Sequence, residues 1–297
     1  MKIAKFSLSK NDKPDEVILS ICNTLKQQCM SLNINNKDEN IYGTGISVYS
    51  SFDQKTGKIG RPINLYLNEQ WSNYNLEKEL KNYLRLPIVI KNSTASAGML
   101  EYFHGVGKNH KTMIYILCAM NIRSTVVNER GLLNSDMFYE DAFGHSTIDF
   151  AGKKCICGNY GCVNTYATIP AIIEYVTNSI KAGRDIKEDL TQNLNIENIC
   201  KNADQGDSVC LEAINNAATM LGVALSNYIN IIRPEKVVLA GLLPNLSNIY
   251  YETCIRVVKK RSERFLKTEY IQFIKNGQFM DPIVVSAGSM MVEKLIT

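Results

Sequence analysis

The stretch from Gly144 to Cys162, GHSTIDFAGKKCICGNYGC, limits what this chain can fold into more than any other. It brings one imidazole, His145, close in sequence to three thiols, Cys155, Cys157 and Cys162. Three thiolates and an imidazole are the donor set of a closed tetrahedral zinc site. Gly158 and Gly161 lie between the second and third thiols, where a tight reversal around a metal asks for permissive backbone. Protein donors fill every coordination position, so no place is left for water, and the expected Zn2+ is structural rather than catalytic. Three unrelated cysteines and a stray histidine would not account for three thiols wrapped so closely around two glycines.

The chain holds nine cysteines, an odd number, in 297 residues. Lys2 and Lys5 follow Met1, but no apolar run of signal length comes after them. No segment approaches the roughly 20 uninterrupted apolar residues of a membrane span. These features predict a reducing, cytoplasmic setting in which clustered cysteines bind metal and do not pair as disulfides. Cys22, Cys29, Cys118, Cys200, Cys210 and Cys254 fall on apolar faces and read as core residues. The net charge of +4 and isoelectric point of about 8.4 read as a solvated mixed-charge surface. A nucleic-acid binder is expected to be more basic and more clustered. His104 and His110 share a glycine-containing turn, EYFHGVGKNH, expected to be an exposed loop.

Hydrophobic periodicity predicts alternating helices and strands. Pro14 and Asp15 open a helix with Val17, Ile18, Ile21, Cys22 and Leu25 at helical spacing. A strand-like run from Ile41 to Tyr49 follows, in which Gly43-Thr44-Gly45 marks close packing. Asn75 caps a helix with Leu76, Leu80, Tyr83 and Leu84 on its face; Pro87 stops it, and Ile88–Ile90 form a buried strand ending at Asn92. Met113–Cys118 reads as a strand covered on both faces. A long helix from about Asp207 to Ile232 ends at Pro234, and Lys236–Ala240 returns as a strand. A helix from Asn245 to Lys259, a strand over Pro282–Val285 and a last helix from Gly288 complete the reading. The polar stretch Lys181–Gln205 is expected to be an exposed helical excursion. The alternation means an α/β fold.

The Cys-x-Cys-Gly-x-x-Gly-Cys run, with His145 ten residues before Cys155, resembles the zinc signature of the ROK family of repressors, open reading frames and kinases. The likeness continues through Pro87–Asn92 with Glu101 further along, through Pro234–Gly241 (PEKVVLAG), and through Val285–Val292. The resemblance implies a two-domain actin-like, ribonuclease-H-type α/β fold with an interdomain cleft and a zinc-bound loop. Residues 1–100 would form the first domain. Residues 101–297 would form the second, with the last helix packing back on the first. It also implies a homodimer and a sugar ligand in the cleft.

The family's catalytic set is incomplete. Ser93 stands where the general-base aspartate follows the motif asparagine, and Ala95 where a second sugar-facing asparagine is usual. Ala142 replaces the glutamate three residues before the zinc histidine, with Glu140 and Asp141 as neighbouring substitutes. Asn164 replaces the glutamate two residues past the last zinc cysteine. Ligand contacts remaining as candidates are Asn92, His145, Asn164, Glu140 and Asp141. The glycine turn expected after Met113–Cys118 reads Ala119 to Thr125 without glycine, and the opening Asp-x-Gly-Gly-Thr hairpin has no counterpart, the chain beginning after it near Lys2–Ser7. Bound ATP and Mg2+ are therefore not expected.

Three functional readings follow. The first is a non-catalytic regulator that senses a sugar or acts through a repressor protein, as an anti-repressor does, resembling the effector portion of xylose repressors. The second is a sugar kinase with an atypical base. The third is a DNA-binding repressor whose helix-turn-helix has been trimmed away; residues 1–40 offer one helix and no helix-turn-helix pair, so direct DNA binding by this chain is not expected.

Overall fold

The computed structural model describes residues 11–31, 41–50, 52–60, 69–133, 142–187, 190, 192–279 and 281–296, with side chains up to Met291 in the last stretch. The described residues divide into two compact units. One takes the chain up to Leu100 and again from Asp281; the other runs from Glu101 to Leu133 and from Ala142 to Phe279.

The first unit begins with α1, Pro14–Ser31. Proline suits a first helical position because the N–H it lacks would be unpaired there, and Asp15 and Glu16 lie at the positive end of the helix dipole. Strand β1, Thr44–Val48, pairs in parallel with β4, Ile88–Asn92, from Thr44 opposite Ile88 to Val48 opposite Asn92. Between them lie the short antiparallel pair β2, Phe52–Asp53, and β3, Lys58–Ile59, followed by α2, Leu76–Tyr83. The Asn75 side chain caps α2 by accepting the Lys78 N–H at 3.0 Å. Val17, Ile18 and Cys22 of α1 join Trp71, Leu76, Leu80, Ile88 and Ile90 in this unit's core. The final helix, α9, Pro282–Ile296, packs on β1, and a Cβ on Gly45 would overlap the Ala287 carbonyl. The glycine run in β1 is thus a packing device.

α3, Ser93–Phe103, leads out of β4 toward the second unit. There the sheet order is β7-β6-β5-β8-β9. β5, Thr112–Cys118, is antiparallel to β6, Ile122–Asn128, and parallel to β8, Lys236–Ala240. β7 is Gly131–Leu132, and β9, Gln272–Lys275, extends the sheet in parallel beyond β8. From Met113 onward every residue of β5 is buried, as a strand covered on both faces requires.

One core joins this sheet to α4, Ile169–Lys181, α5, Ile196–Asp204, and α6, Ser208–Ile232, with α4 and α5 packed on α6. Asp207 caps α6 by accepting the Cys210 N–H at 2.9 Å, and Arg233, left-handed at φ 53°, closes it before Pro234. α6 is long and apolar enough to cross a membrane by length and composition, but most of its apolar side chains, from Val209 to Ile229, belong to this unit's core.

Three expectations change. The helix expected over Asn245–Lys259 is two helices, α7, Leu242–Leu246, and α8, Asn248–Ser262. Ser247 makes the break: its N–H donates to the Leu243 carbonyl and its hydroxyl accepts from the Tyr250 N–H at 3.1 Å. The strand expected at Pro282–Val285 is the first turn of α9, with the Val285 N–H bonded to the Asp281 carbonyl. Its β-branched residues suggested a strand, but Pro282 is pre-set for a first helical position. The strand actually present nearby is β9. Finally, Lys181–Gln205 is not an excursion, because Leu190, Ile196, Ile199 and Cys200 are buried in the main core. Of the six cysteines read as core, all are buried except Cys29, which is half-buried.

Candidate metal centre and ligand contacts

His145 ends a short 3-10 turn, Phe143–His145, and Cys162 lies just before another, Val163–Thr165. Between them the chain folds back on itself. Single antiparallel bridges join Thr147 to Cys162 and Lys154 to Tyr160. The Cys155 N–H donates to the Asn159 carbonyl at 2.7 Å, and the Gly158 N–H to the Cys155 carbonyl at 3.0 Å. Gly158 at φ 96° and Gly161 at φ 65° are left-handed, and a Cβ on Gly161 would overlap the Asp149 carbonyl. The glycines are therefore needed for the turn that brings the third thiol back.

The four donor atoms lie within 4.8 Å of one another. Cys157 Sγ is 3.7 Å from Cys162 Sγ, and Cys155 Sγ is 3.5 Å from His145 Nδ1. A tetrahedron with Zn–S of about 2.3 Å and Zn–N of about 2.0 Å has edges of roughly 3.8 Å between sulfurs and 3.5 Å from sulfur to nitrogen. The spacing fits a metal ion.

The electrostatics point the same way. Burial first, and neighbouring thiols second, push the Cys162 thiol up to about 12. Burial also raises Cys155. For Cys157 burial acts upward, but the backbone at Asn159 and the adjacent thiols outweigh it, and the net shift is downward. Three crowded thiols cannot all ionise without a cation to take up the charge. His145 is lowered, by burial and then by the Arg123 charge, which keeps the imidazole in the neutral form that binds metal.

The remaining candidate residues fall in different places. Asn92 belongs to the first unit, where its Nδ2 donates to the Ser50 carbonyl at 3.0 Å and its Oδ1 accepts from Thr94 N–H at 2.9 Å. It is the hinge pin of the strand-to-helix junction from β4 into α3. Ser93, next in line, is 1% exposed, and its hydroxyl has no hydrogen-bond partner among the described residues. Asn164 belongs to the second unit, where its Oδ1 accepts the Ile122 N–H at 2.7 Å and its amide abuts Gly144, the neighbour of His145. His145 and Asn164 therefore share one loop cluster. Glu140 and Asp141 lie outside the described residues. The turn between β5 and β6 is Ala119–Asn121, closing with Cys118 opposite Ile122.

Glu101 has a role that the sequence did not specify. Its carboxylate is completely buried and accepts N–H bonds from Gln278 at 2.8 Å, Phe279 at 3.1 Å and Val106 at 3.3 Å. Cβ atoms on Gly105 or Gly277 would collide with it. A lone acidic residue in the apolar run ASAGMLEYF was the available signal.

These features define an actin-like α/β fold of the kind found in ROK hexokinases and glucokinases. Residues 10–282 match the ROK family, and the chain belongs to it. It is 25% identical over 255 residues to a xylose repressor of Caldicellulosiruptor bescii, covering 85% of this chain and 62% of that protein. The chain spans roughly half to three fifths of the length of the curated xylose repressors it matches. Among solved structures, a ROK family transcriptional regulator homologous to the Escherichia coli MLC protein superposes with a TM-score of 0.80 at 21% identity, covering 99% of this chain and 71% of that one. A ROK family glucokinase from Streptomyces griseus, solved with glucose and AMPPNP, superposes with a TM-score of 0.75 at 19% identity, covering 97% and 91%.

Proposed function

We propose that this chain is the ligand-sensing body of a ROK-type transcriptional regulator and does not phosphorylate sugar. Ser93 carries the reading. At the position where the family resemblance calls for a general-base aspartate, the chain places a buried hydroxyl, which at an ordinary pKa cannot take the proton of an attacking sugar hydroxyl. The same hydroxyl can still donate a hydrogen bond to a bound ligand. Asn92 and Asn164 support the reading, because each spends its amide oxygen on backbone N–H groups. The glycine-free turn Ala119–Asn121 offers no close backbone approach for phosphates. The likeness to xylose repressors favours regulation, through a sugar or through a repressor protein. The metal is zinc, held by His145, Cys155, Cys157 and Cys162 as a structural ion that fixes the loop. The working form is a cytoplasmic homodimer, and Glu140 and Asp141 are further candidates for sugar contact.

One observation favours a sugar kinase instead: the fold is shared with a glucokinase solved with glucose and a nucleotide analogue. Thermal unfolding of the zinc-loaded protein against pentoses, hexoses, acetylated amino sugars and Mg-ATP, with ADP release measured in parallel, separates the two. A ligand at a hundred times its dissociation constant stabilises by ~2.7 kcal/mol, a rise of roughly 4 °C for a chain of this size. A shift with a sugar, no shift with Mg-ATP and no ADP release is the expected result. Sugar-dependent ADP release above background would overturn it.

A further inference from the structure

The net charge of +4 is concentrated in one segment of the chain. Between Arg256 and Lys267 stand six cations and one anion, a net of 6 − 1 = +5, so the other residues of the chain sum to 4 − 5 = −1. The segment covers the end of α8 and the turn after it.

Some of these cations have local work. Lys259, Lys260 and Arg261 lie in the last turn of α8, where positive charge complements the helix dipole. Lys259 lies over the Phe273 ring, and Arg261 Nε donates to the Ser226 hydroxyl at 3.0 Å. Arg256 donates to the Thr253 hydroxyl at 3.1 Å and Lys267 lies over the Tyr270 ring, but neither contact takes up charge. Arg256 and Lys260 stand four residues apart on one exposed face of α8, where like charges repel, and exposed Arg264 follows in the turn after it. Among the described residues no ion pair relieves Lys260, Arg264 or Lys267.

Beside this stripe the chain exposes large apolar groups. Phe265 is 73% and Tyr270 70% exposed. α6 runs alongside α8 in the same direction, since Gly222 faces Val257 and Ser226 meets Arg261. Its last turn therefore brings Ile231, 78% exposed, to the same end of the unit. Aromatic residues and arginine side by side are the composition of protein-binding surfaces.

We propose that this end of α8 docks an acidic protein segment that carries an apolar side chain. Its carboxylates meet Arg256, Lys260 and Arg264, and its apolar group covers Phe265. Glu263 and Glu269, both exposed within the patch, favour this occupant over a polynucleotide. A phosphate backbone bears a charge at every nucleotide and would press some of them against those carboxylates, whereas a peptide can space its acidic residues around them. None of these residues belongs to the thiol loop, and neither Asn92 nor Ser93 is among them, so the proposal stands or falls independently of ligand sensing.

The test is selection of a random peptide display library on the zinc-loaded full chain, followed by anisotropy titration of the enriched peptide. Duplex DNA and phosphatidylserine vesicles serve as competing probes, and K260E/R264E and F265S as variants. All substituted side chains are exposed, and unchanged thermal unfolding confirms the variants are folded. The expected result is enrichment of peptides rich in Asp and Glu with an apolar residue. Their affinity should fall by about ten-fold or more in K260E/R264E, a lesser amount in F265S, and steeply with salt. Enrichment without acidic bias, equal binding to K260E/R264E, or tighter binding of DNA or vesicles would each overturn the proposal.

Discussion

Replacing Glu101 tests whether a single buried carboxylate organises the second unit. Three backbone donors, at Gln278, Phe279 and Val106, converge on it, from segments 177, 178 and 5 residues away. No other protein acceptor takes their place if the side chain is cut back; an N–H left unpaired costs about 1–3 kcal/mol when buried, and less at exposed Gln278, where water can replace the carboxylate. Glu101→Ala should therefore destabilise by roughly 3–6 kcal/mol, with a fall in melting temperature on the order of 10 °C. Glu101→Gln is a graded control. Its amide oxygen can stay where Oε1 now accepts from Gln278 and Phe279, while the nitrogen faces the Val106 N–H and loses the longest of the three bonds. That variant should cost about 1–2 kcal/mol. Urea unfolding followed by circular dichroism gives the magnitudes, and hydrogen exchange locates them. Amides of residues 277–279 and 106 should lose protection in Glu101→Ala. Trp71, the chain's one tryptophan, lies in the other unit's core, so its fluorescence reports whether the damage stays local. The reasoning fails if Glu101→Ala lies within about 1 kcal/mol of the parent, or if Gln is as harmful as Ala.

The candidate metal site gives a pH signature. The Cys162 thiol is raised from 9.0 to about 12 in the metal-free fold, chiefly by burial. A raised pKa stabilises the fold with the thiol protonated, fully below the unfolded value, and the contribution is lost as pH climbs toward the folded one. Metal-free protein should thus lose melting temperature between pH 9 and about 12 more steeply than zinc-loaded protein; parallel curves would count against a metal at these thiols. Gly161→Ala places a Cβ into the Asp149 carbonyl at a left-handed position, and a colorimetric zinc-release assay should find little retained metal; full occupancy would refute the geometry. Asn75→Ala removes the cap of α2 and should lower unfolding stability by about 1 kcal/mol, read by Trp71 fluorescence.

Much of the fold could be read from the chain because its signals are local. Pro14, Asn75, Asp207 and Pro234 act within one helical turn of their own position, and each ends or begins a helix where its chemistry demands. The errors came where distant packing decides. Ile283, Val284 and Val285 have strand-forming side chains, but the close seat that Gly45 offers Ala287 belongs to a helix. Lys181–Gln205 is polar on average, yet a few apolar residues, Leu190 and Ile199 among them, reach the core and tie the segment down. Gln272–Lys275 is too short and mixed to announce itself, and becomes a strand because β8 leaves an edge to pair with.

The candidate site divides along the same line. The clustering of the thiol loop was legible because the candidate ligands, turn glycines and the reversing backbone all fall in one short stretch. The ligand contacts were not. An asparagine that caps a helix and one that binds a sugar hydroxyl offer the same donors and acceptors, and only the backbone around them says which is in use. At Asn92 and Asn164 the amide oxygens bond to N–H groups of Thr94 and Ile122. Ser93 is the opposite case: its buried hydroxyl has no partner among the described residues. Because an unpaired buried hydroxyl costs free energy, the Ser93 hydroxyl, like that of its neighbour Thr94, would gain from a ligand partner, and substitution of Ser93 by alanine should weaken any sugar that the thermal-shift panel detects.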